Sequence, residues 1–419
     1  MRYKCQNDVT IFSMTTKKKK LKFKWHIFSF LMSSGSDLPI HLAMFVLMVY
    51  GTLMIGSASM GLAVSNPTYL VKTVGKQVVF VIAGYFGMCK FSNWFRLDRL
   101  KRSKFSIVII GMEVLLLACL AFSASGGAHA WIRIPFPGIE MSIQPSEFAK
   151  IVSILIVAAY LGDVKKTYPR KRDLFIRPLS FIGIYLATVL FVQHDFGSMA
   201  VIFLIVCVCL LIPNNEQARP FQTVLRILFW AMVGVAIFIL SPLGTQLVEH
   251  MPFLSTYQKN RFLSAVNPFQ DIYGSSYQIV KGLVSFADGG WFGVGFGNSV
   301  RKYTDFPAAN TDFILAILVE ELGFVGFLFL IILYGIIIFR LLKYANKIKN
   351  EKAKIILTGT AMYFVIHCFF NIGGVTGLIP LTGVPLLMIS SGGSSTLSIM
   401  FAVGIAQAVI SQYNRKEIE

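Results

Sequence analysis

Long apolar stretches recur along the whole chain and constrain its fold more than any other feature. Ten of them approach the ~20 residues that an α-helix needs to cross the hydrocarbon core of a bilayer. In chain order they are 38–58, 72–90, 105–122, 145–161, 177–193, 197–213, 224–241, 312–339, 355–372 and 394–412. Hydrophobic residues make up 55% of the 419 and charged residues only 14%, unlike soluble domains. We therefore expect an all-α, multi-pass integral membrane protein with about ten transmembrane helices.

Lysine and arginine lie in short clusters between these apolar segments. Of the 39 lysines and arginines, 30 fall in six connecting or terminal segments, namely 1–37, 90–104, 162–177, 213–226, 340–354 and 413–419. The positive-inside rule assigns these segments to the cytoplasm, and an even number of crossings places both termini there. The net charge of +19 is thus better explained as an orientation signal than as a nucleic-acid surface, and we expect no nucleic-acid partner.

The chain divides into a basic cytoplasmic tail, 1–37, a membrane domain, 38–412, and a short cytoplasmic tail, 413–419. The outer loop 242–311 is far longer than the about 12 to 15 residues of an ordinary structureless connection, so we expect short helices and turns on the outer membrane surface. The smaller outer loop 123–144 alternates polar and apolar residues before two prolines and predicts a β-hairpin. Between the fifth and sixth helices, 193–197 leaves room only for a tight turn.

Glu147 and Lys150 are charged residues inside the fourth apolar segment. Their i, i+3 spacing after Pro145 places both on one face near a helix start. One interpretation is an internal ion pair that holds the helix in place. The other is an outward-facing lysine that binds an anionic group while Glu147 orients it.

Asp312 stands at the outer start of the eighth segment, next to the long loop. It could simply interact with the helix dipole. Alternatively, an apolar neighbourhood would raise its pKa and suit it to take a proton from a sugar hydroxyl. Asp195, at the outer turn, is a candidate either for a helix cap or for the outer cavity.

The long outer loop contains cations where the positive-inside rule does not require them, and the candidates among these are Arg261, Lys281, Arg301 and Lys302. They could be solvated surface charges. Together they would also suit an anionic ligand such as a diphosphate. Glu320 and Glu321 lie about two turns into the eighth helix, and we expect them to serve hydrogen-bonded helix packing.

Several other patterns carry little functional weight. The run Gly293–Gly297 lacks the strand–turn–helix setting of a dinucleotide loop, and the chain contains neither a P-loop nor HExxH. The six cysteines form no CxxC pair and are expected to be packing residues. We therefore predict no protein-bound metal, although Mg²⁺ or Mn²⁺ carried on a diphosphate would be compatible with the chemistry.

Five motifs in order resemble the SEDS family of peptidoglycan glycosyltransferases, the FtsW/RodA/SpoVE proteins, over most of 38–412. They are Gln144–Pro145–Ser146–Glu147 with Lys150, Gln193–Gly197, Gly290–Ser299, Asn310–Phe313 with Glu320–Gly323, and Asn371–Gly373 continuing to Pro385 and Ser390–Ser395. The pattern Gly297–Asn298–Ser299 with Lys302 is more similar to the cell-division FtsW branch of Gram-positive bacteria, whereas Gly383–Val384–Pro385 is more similar to the elongation-type RodA branch. The chain departs from the common motifs at His194, Phe196, Asn310 and Ser391.

The resemblance implies polymerisation of lipid II, the undecaprenyl-diphosphate-linked disaccharide-pentapeptide, at the outer face of the bacterial cytoplasmic membrane. It also implies a class B penicillin-binding protein as transpeptidase partner, other divisome proteins and location at the division septum. The essential family carboxylate falls on Asp312. The outer-loop tryptophan falls on Trp131, the paired acid and lysine on Glu147 and Lys150, and the long-loop arginine on Arg261.

The resulting hypothesis makes Asp312 the general base for the acceptor sugar, with Lys150 and Arg261, and with Lys302 as a further candidate, offsetting the charge of the departing diphosphate. Two alternatives from other classes fit the same membrane body. One is a flippase for lipid-linked precursors. The other is a non-catalytic scaffold for a transpeptidase, and an elongation-type polymerase is the alternative within the enzyme class.

Overall fold

Helices occupy all ten of the predicted apolar segments. The computed structural model describes residues 31–100, 102–124, 128–136, 139–163, 171–251, 256–304 and 306–419. The helices in these segments are α1 Leu38–Ser65, α2 Pro67–Trp94, α3 Arg102–Ala118, α4 Pro145–Leu161, α5 Lys171–Ala187, α6 Phe196–Leu211, α7 Arg219–Ile239, α11 Ile314–Lys347, α12 Glu351–Val375 and α13 Gly393–Asn414. Three shorter helices, α8 Pro242–His250, α9 Thr256–Val266 and α10 Tyr277–Gly289, lie in the long loop between α7 and α11.

The predicted membrane class is confirmed by the length and composition of these helices. In the described part of the chain, seven helices are long and apolar enough to cross a membrane, and the shorter helices Phe105–Ala121 and Phe196–Leu211 are also apolar. The number of ten crossings and the cytoplasmic position of both termini stay predictions. Most of the predicted N-terminal tail, residues 1–30, lies outside the described residues.

Both predicted small features of the outer loops are present. Strands β1 Ile132–Phe136 and β2 Ile139–Ile143 pair antiparallel, with Ile132 opposite Ile143. A π-helical turn, Thr188–Val192, continues α5 to the tight turn before α6. His194 takes a left-handed φ of 58° in that turn.

Glycines let α2 and α13 approach closely. A Cβ on Gly84 would lie 2.2 Å from Met400 Sδ, and one on Gly87 would lie 2.1 Å from the Phe401 ring. From the other side, a Cβ on Gly404 would lie 2.6 Å from the Met88 carbonyl oxygen. In a lipid environment the hydrophobic effect does not drive helices together. Small residues at such crossings let the backbones approach closely and stabilise the helix pair by van der Waals contact.

A break in α11 receives the glycine-rich end of the long loop. Gly323 leaves the helical conformation with φ 68° and ψ −169°. The carbonyl groups of Glu320 and Glu321, which have no helical partner there, accept from the amides of Val294 and Gly295 at 2.9 and 3.0 Å. Backbone that is not helical is tolerated at membrane depth only where protein satisfies it, and the loop meets that condition here.

The connection between α12 and α13 folds back into the helix bundle. Residues 386–390 are at most 1% exposed. A Cβ on Gly51, in the middle of α1, would lie 1.8 Å from the Met388 carbonyl oxygen, so the connection reaches the interior of α1. The Tyr334 hydroxyl of α11 donates to the Leu387 carbonyl. This re-entrant connection brings residues 381–385, called the 381–385 segment below, to the outer start of α11.

Candidate active site

Asp312 lies in a turn immediately before α11, at the helix end that the charge distribution assigns to the outer side. The amides of Thr311 and Phe313 both donate to the Ala308 carbonyl, at 3.0 and 3.1 Å, and close this turn. Phe313 is the N-cap of α11, and no side chain caps that helix. The carboxylate of Asp312 is therefore not used as a helix cap.

The 381–385 segment lies directly against Asp312. Gly383 has a φ of +73°, and a Cβ on it would be 3.6 Å from Asp312 Oδ2. Arg261 of α9 donates from Nη1 to the Leu381 carbonyl at 2.8 Å. A glycine at 383 thus supplies the left-handed backbone conformation with which the segment passes next to the carboxylate.

Burial raises the pKa of the Asp312 carboxyl from 3.8 to about 6, and the positive charge of Arg261 opposes part of that rise. The residue nevertheless keeps partial exposure. A carboxylate with such a pKa is ionised at neutral pH but binds a proton more readily than a solvated one. Asp312 therefore suits general-base chemistry on a group that approaches from the outer side.

Two polar side chains of α12, one helical turn apart, connect to the other end of the 381–385 segment. Asn371 Nδ2 donates to the Asp312 carbonyl at 2.9 Å and to the Val384 carbonyl at 3.0 Å. His367 Nδ1 lies 3.0 Å from the Pro385 carbonyl oxygen. Both side chains are buried. Asn371 thus joins the turn of Asp312 to the re-entrant connection through one amide group.

Glu147 and Lys150 form a buried ion pair, as the first of the two interpretations of α4 expected. Lys150 Nζ lies 2.7 Å from Glu147 Oε1 and 2.9 Å from His367 Nε2. The Tyr363 hydroxyl donates to Glu147 Oε2 at 2.7 Å. Lys150 is 1% exposed, so contact with a diphosphate would require this pair to open.

Lys302 belongs to a second buried cluster, on the side of α1. Its Nζ lies 2.8 Å from Glu321 Oε1 and 3.0 Å from Ser57 Oγ. Glu320 accepts from the Ser299 hydroxyl at 2.9 Å. Lys302 is therefore not brought to Asp312, and the packing role expected for Glu320 and Glu321 matches their contacts.

The remaining candidates lie around the outer end of the bundle. Asp195 caps α6 by accepting from the Ser198 amide at 3.0 Å, and its other oxygen accepts from Gln144 Nε2 at 2.7 Å. A Cβ on Gly197 would lie 2.7 Å from the Thr382 carbonyl, so the start of α6 borders the 381–385 segment. Trp131 precedes β1 and is partly exposed.

The other outer cations have protein partners away from Asp312. Arg301 pairs with Asp288 at 2.5 Å, and Lys281 binds Thr304. Within the described ranges, no three His, Cys, Asp or Glu side chains gather to hold a metal ion. Of the four loop cations considered from the sequence, Arg261 is the one whose charge acts on Asp312.

Asn371, Leu381 and Gly383 lie within the fifth sequence motif but were not predicted as parts of this site. The available signal was the run from Asn371 to Pro385, which contains four glycines and two prolines between apolar segments. Its fold into the bundle depends on contacts with α1, α9 and α11 that no local pattern encodes.

A family model described as "cell cycle protein", for FtsW, RodA and SpoVE, matches residues 38–416. Curated relatives named probable peptidoglycan glycosyltransferase FtsW are similar over most of their length. The Francisella salina protein is 30% identical over 396 residues, which is 93% of this chain and 90% of the relative. The Bacillus subtilis protein is 30% identical over 376 residues, 89% and 90% of the two chains.

Solved structures share the fold. A chain from a study of the structural coordination of polymerisation and crosslinking by a peptidoglycan synthase complex is 22% identical and has a TM-score of 0.64, covering 91% of this chain and 99% of its own length. The rod-shape-determining protein RodA of Thermus thermophilus is 20% identical with a TM-score of 0.56, covering 90% and 97%. With the family model matching nearly the whole membrane domain, the chain belongs to the FtsW/RodA/SpoVE family.

Proposed function

We propose that this protein is a peptidoglycan glycosyltransferase that polymerises lipid II at the outer face of the cytoplasmic membrane during septal cell-wall synthesis. The observation that carries the proposal is the Asp312 carboxylate, desolvated but still approachable, beside Arg261 and the 381–385 segment. Relatives named peptidoglycan glycosyltransferases, alike over some nine-tenths of both chains, support the same reaction class.

In the proposed reaction, Asp312 accepts the proton of the 4-hydroxyl of the acceptor sugar as that oxygen attacks the anomeric carbon of the donor. The new glycosidic C–O bond forms as the bond from the anomeric carbon to the diphosphate oxygen breaks. The electron pair of the broken bond leaves with the lipid diphosphate, and the configuration inverts. A base with a pKa near the working pH favours this transfer, because it is ionised before the step and holds the proton afterwards.

Arg261 is the cation best placed to offset the negative charge of the departing diphosphate. It lies on α9, and its field already acts on Asp312. Electrostatic stabilisation of charge that develops in the transition state is usually a large catalytic contribution. Lys150 and Lys302, each in a buried ion pair, act in this proposal through the packing of the site. Mg²⁺ or Mn²⁺ bound to the diphosphate would add positive charge to that of Arg261.

We further infer that a class B penicillin-binding protein crosslinks the glycan strands made by this chain, together with other divisome proteins at the septum. The match to a chain studied in a peptidoglycan synthase complex, which coordinates polymerisation and crosslinking, supports this pairing. Lipid II and the membrane itself are the other expected partners.

The decisive experiment is a gel-based polymerisation assay with purified protein and lipid II, with and without a cognate class B protein. Wild type should produce glycan strands in at least one arm, and Asp312→Ala and Asp312→Asn should produce none while still entering the membrane. Glu249→Gln, which alters an exposed carboxylate of the same outer loop, is the matched control and should remain active. Strands from either Asp312 variant would remove this residue from the catalytic role.

The same protein in sealed vesicles tests the flippase alternative. A flippase would move lipid II across the vesicle membrane without forming glycan, whereas the proposed enzyme forms glycan in detergent. If wild type forms no strands in either arm but moves lipid II, the polymerase function is wrong. If Asp312 variants support growth as well as wild type, the scaffold alternative is favoured.

A further inference from the structure

We propose that Asn371 and His367 of α12 are positioning residues, which hold the 381–385 segment and the Asp312 turn together for the reaction. This inference rests on the proposed function of Asp312. It assigns a role to two buried polar side chains that bond to backbone carbonyl groups of the turn and the segment.

Asn371 is the direct connection between the two backbone segments. Its Nδ2 donates to the carbonyl oxygens of both Asp312 and Val384, so one amide group crosslinks the turn and the segment. Both partners are acceptors, which fixes the amide orientation with Nδ2 toward them. The buried Oδ1 has no partner among the described residues. An unpaired buried oxygen is uncommon and calls for an explanation. Here the two bonds of Nδ2, which hold the two backbone segments in register, explain the orientation of the amide.

His367 holds the far end of the same segment. The Pro385 carbonyl can only accept, so Nδ1 of His367 carries the ring proton and donates it across 3.0 Å. The other nitrogen, Nε2, is then an acceptor and receives a hydrogen bond from Lys150 Nζ at 2.9 Å. The Glu147–Lys150 pair thereby sets the tautomer and the orientation of His367. The hydrogen bond made by one ring nitrogen commonly determines the protonation of the other in functional histidines.

These contacts form a continuous series from the interior of the bundle to the catalytic carboxylate. Glu147 binds Lys150, Lys150 binds His367, and His367 binds Pro385. Two residues before Pro385 is Gly383, where a Cβ would lie 3.6 Å from Asp312 Oδ2. Such a series lets α4 and α12, which lie away from the carboxylate, determine how closely the segment approaches it. A misplacement of about 1 Å at a reacting group can reduce the rate on the order of 100-fold.

Few charges can complicate a test that uses pH. The 381–385 segment itself carries no titratable side chain. Arg261 of α9 is the charged group that acts on Asp312. On α12, His367 faces Pro385 and binds Lys150 of α4, which is paired with Glu147. On α6, whose start borders the segment, Asp195 is bound by Ser198 and Gln144. On α1 and α2 the groups near the turn are Ser59 and Tyr69, which contact Asn310. The acid side of the pH–rate profile should therefore report the environment of Asp312.

The test compares initial rates of lipid II polymerisation by purified variants across pH, with unfolding midpoints measured in parallel. We expect Asn371→Ala to lower the plateau rate by about tenfold or more and to move the acid limb to lower pH, because the released carboxylate becomes better solvated. His367→Leu should change both in the same direction. His367→Gln, which keeps one donor and one acceptor, should restore most of the rate.

The control is Thr360→Val on the same helix, since Thr360 is equally buried but bonds only to its own helix, at Ile356. It should leave both the rate and the limb unchanged. Asn371→Ala with a plateau like that of wild type, or with a reduced plateau and an unmoved limb, would overturn the proposal. If Asn371→Ala does not fold, the comparison of His367→Leu with His367→Gln decides. Equal plateau rates and equal acid limbs of the pH–rate profile for these two variants would also overturn the proposal. Inactive wild type, or active Asp312→Asn, would instead overturn the proposed function.

Discussion

At the scale of single residues, the working properties of Asp312 depend on two opposing effects, burial and the charge of Arg261. Burial raises the pKa to about 6, and Arg261 lowers it. Because the general base must be ionised, the polymerisation rate should be constant well above pH 6 and fall about tenfold per pH unit below it. Arg261→Gln removes the opposing charge, so its acid limb should move to higher pH. Initial rates over a range of pH measure both effects.

Arg261→Lys is the matched variant, because it keeps a positive charge while losing the planar guanidinium that binds the Leu381 carbonyl. Its limb should stay near that of wild type even if its plateau is lower. Superimposable limbs for wild type, Arg261→Lys and Arg261→Gln would show that Arg261 does not set the charge state of Asp312.

The sequence alone separates these residues only in part. The family resemblance selects Asp312 and Arg261, whereas the residues alone leave a helix-dipole acid and a solvated surface charge as alternatives. Lys150 and Lys302 are also candidates in sequence, yet each is buried against a carboxylate, on Glu147 and Glu321. Spacing of i, i+3 reveals the first pair. The second joins α11 to a loop residue 19 positions earlier, so only the three-dimensional structure identifies it.

At the scale of helices, the Glu147–Lys150 pair fastens α4 to α12. Breaking a buried pair leaves one uncompensated charge and typically costs about 3–5 kcal/mol. Glu147→Gln and Lys150→Met should each lower the thermal unfolding midpoint in detergent, and the double variant should recover a large part of the loss. Lys343→Met, at an exposed position of α11, should have little effect. If the single variants have the same thermal unfolding midpoint as wild type, the pair is not needed for helix packing.

The break in α11 gives a second prediction at this scale. Gly323 has a φ of 68°, and a Cβ there would lie 2.3 Å from the Trp291 carbonyl oxygen. Gly323→Ala should therefore destabilise the protein by at least about 2 kcal/mol. Gly335→Ala in the same helix adds a methyl group into open space and should be neutral or slightly stabilising. Thermal unfolding midpoints of the two variants, measured in detergent, test this difference. Equal midpoints for Gly323→Ala and Gly335→Ala would refute the prediction.

Helix positions were predictable because hydropathy is a local property, while the re-entrant parts were not. Each apolar segment contains a helix, and the hairpin of 123–144 follows from its alternation. The glycine-rich loop and residues 386–390 read as outer connections in sequence, yet both enter the bundle. Their burial is made possible by distant partners such as Gly51, which accommodates the Met388 carbonyl.

At the scale of the whole molecule, two populations of cations have different roles. The clusters between the apolar helices are predicted to face the cytoplasm and to orient the chain in the membrane, whereas the cations of the long loop are mostly held in specific contacts such as Arg301 with Asp288. This separation requires that the long loop 242–311 face outward. The orientation can be tested without reference to activity, because Tyr273 is 92% exposed in that loop and Asn346 is exposed on the opposite side.

Cysteine labelling of intact cells with a membrane-impermeant reagent measures this orientation. Tyr273→Cys should be labelled in intact cells, and Asn346→Cys only after the membrane is permeabilised. The described native cysteines are buried or partly buried, so the unsubstituted protein provides the background. If Asn346→Cys is labelled in intact cells and Tyr273→Cys is not, the topology is the reverse of the predicted one. Asp312 would then face the cytoplasm, where its carboxylate could not act on a substrate displayed at the outer surface, and the proposed polymerase mechanism would fail with the topology.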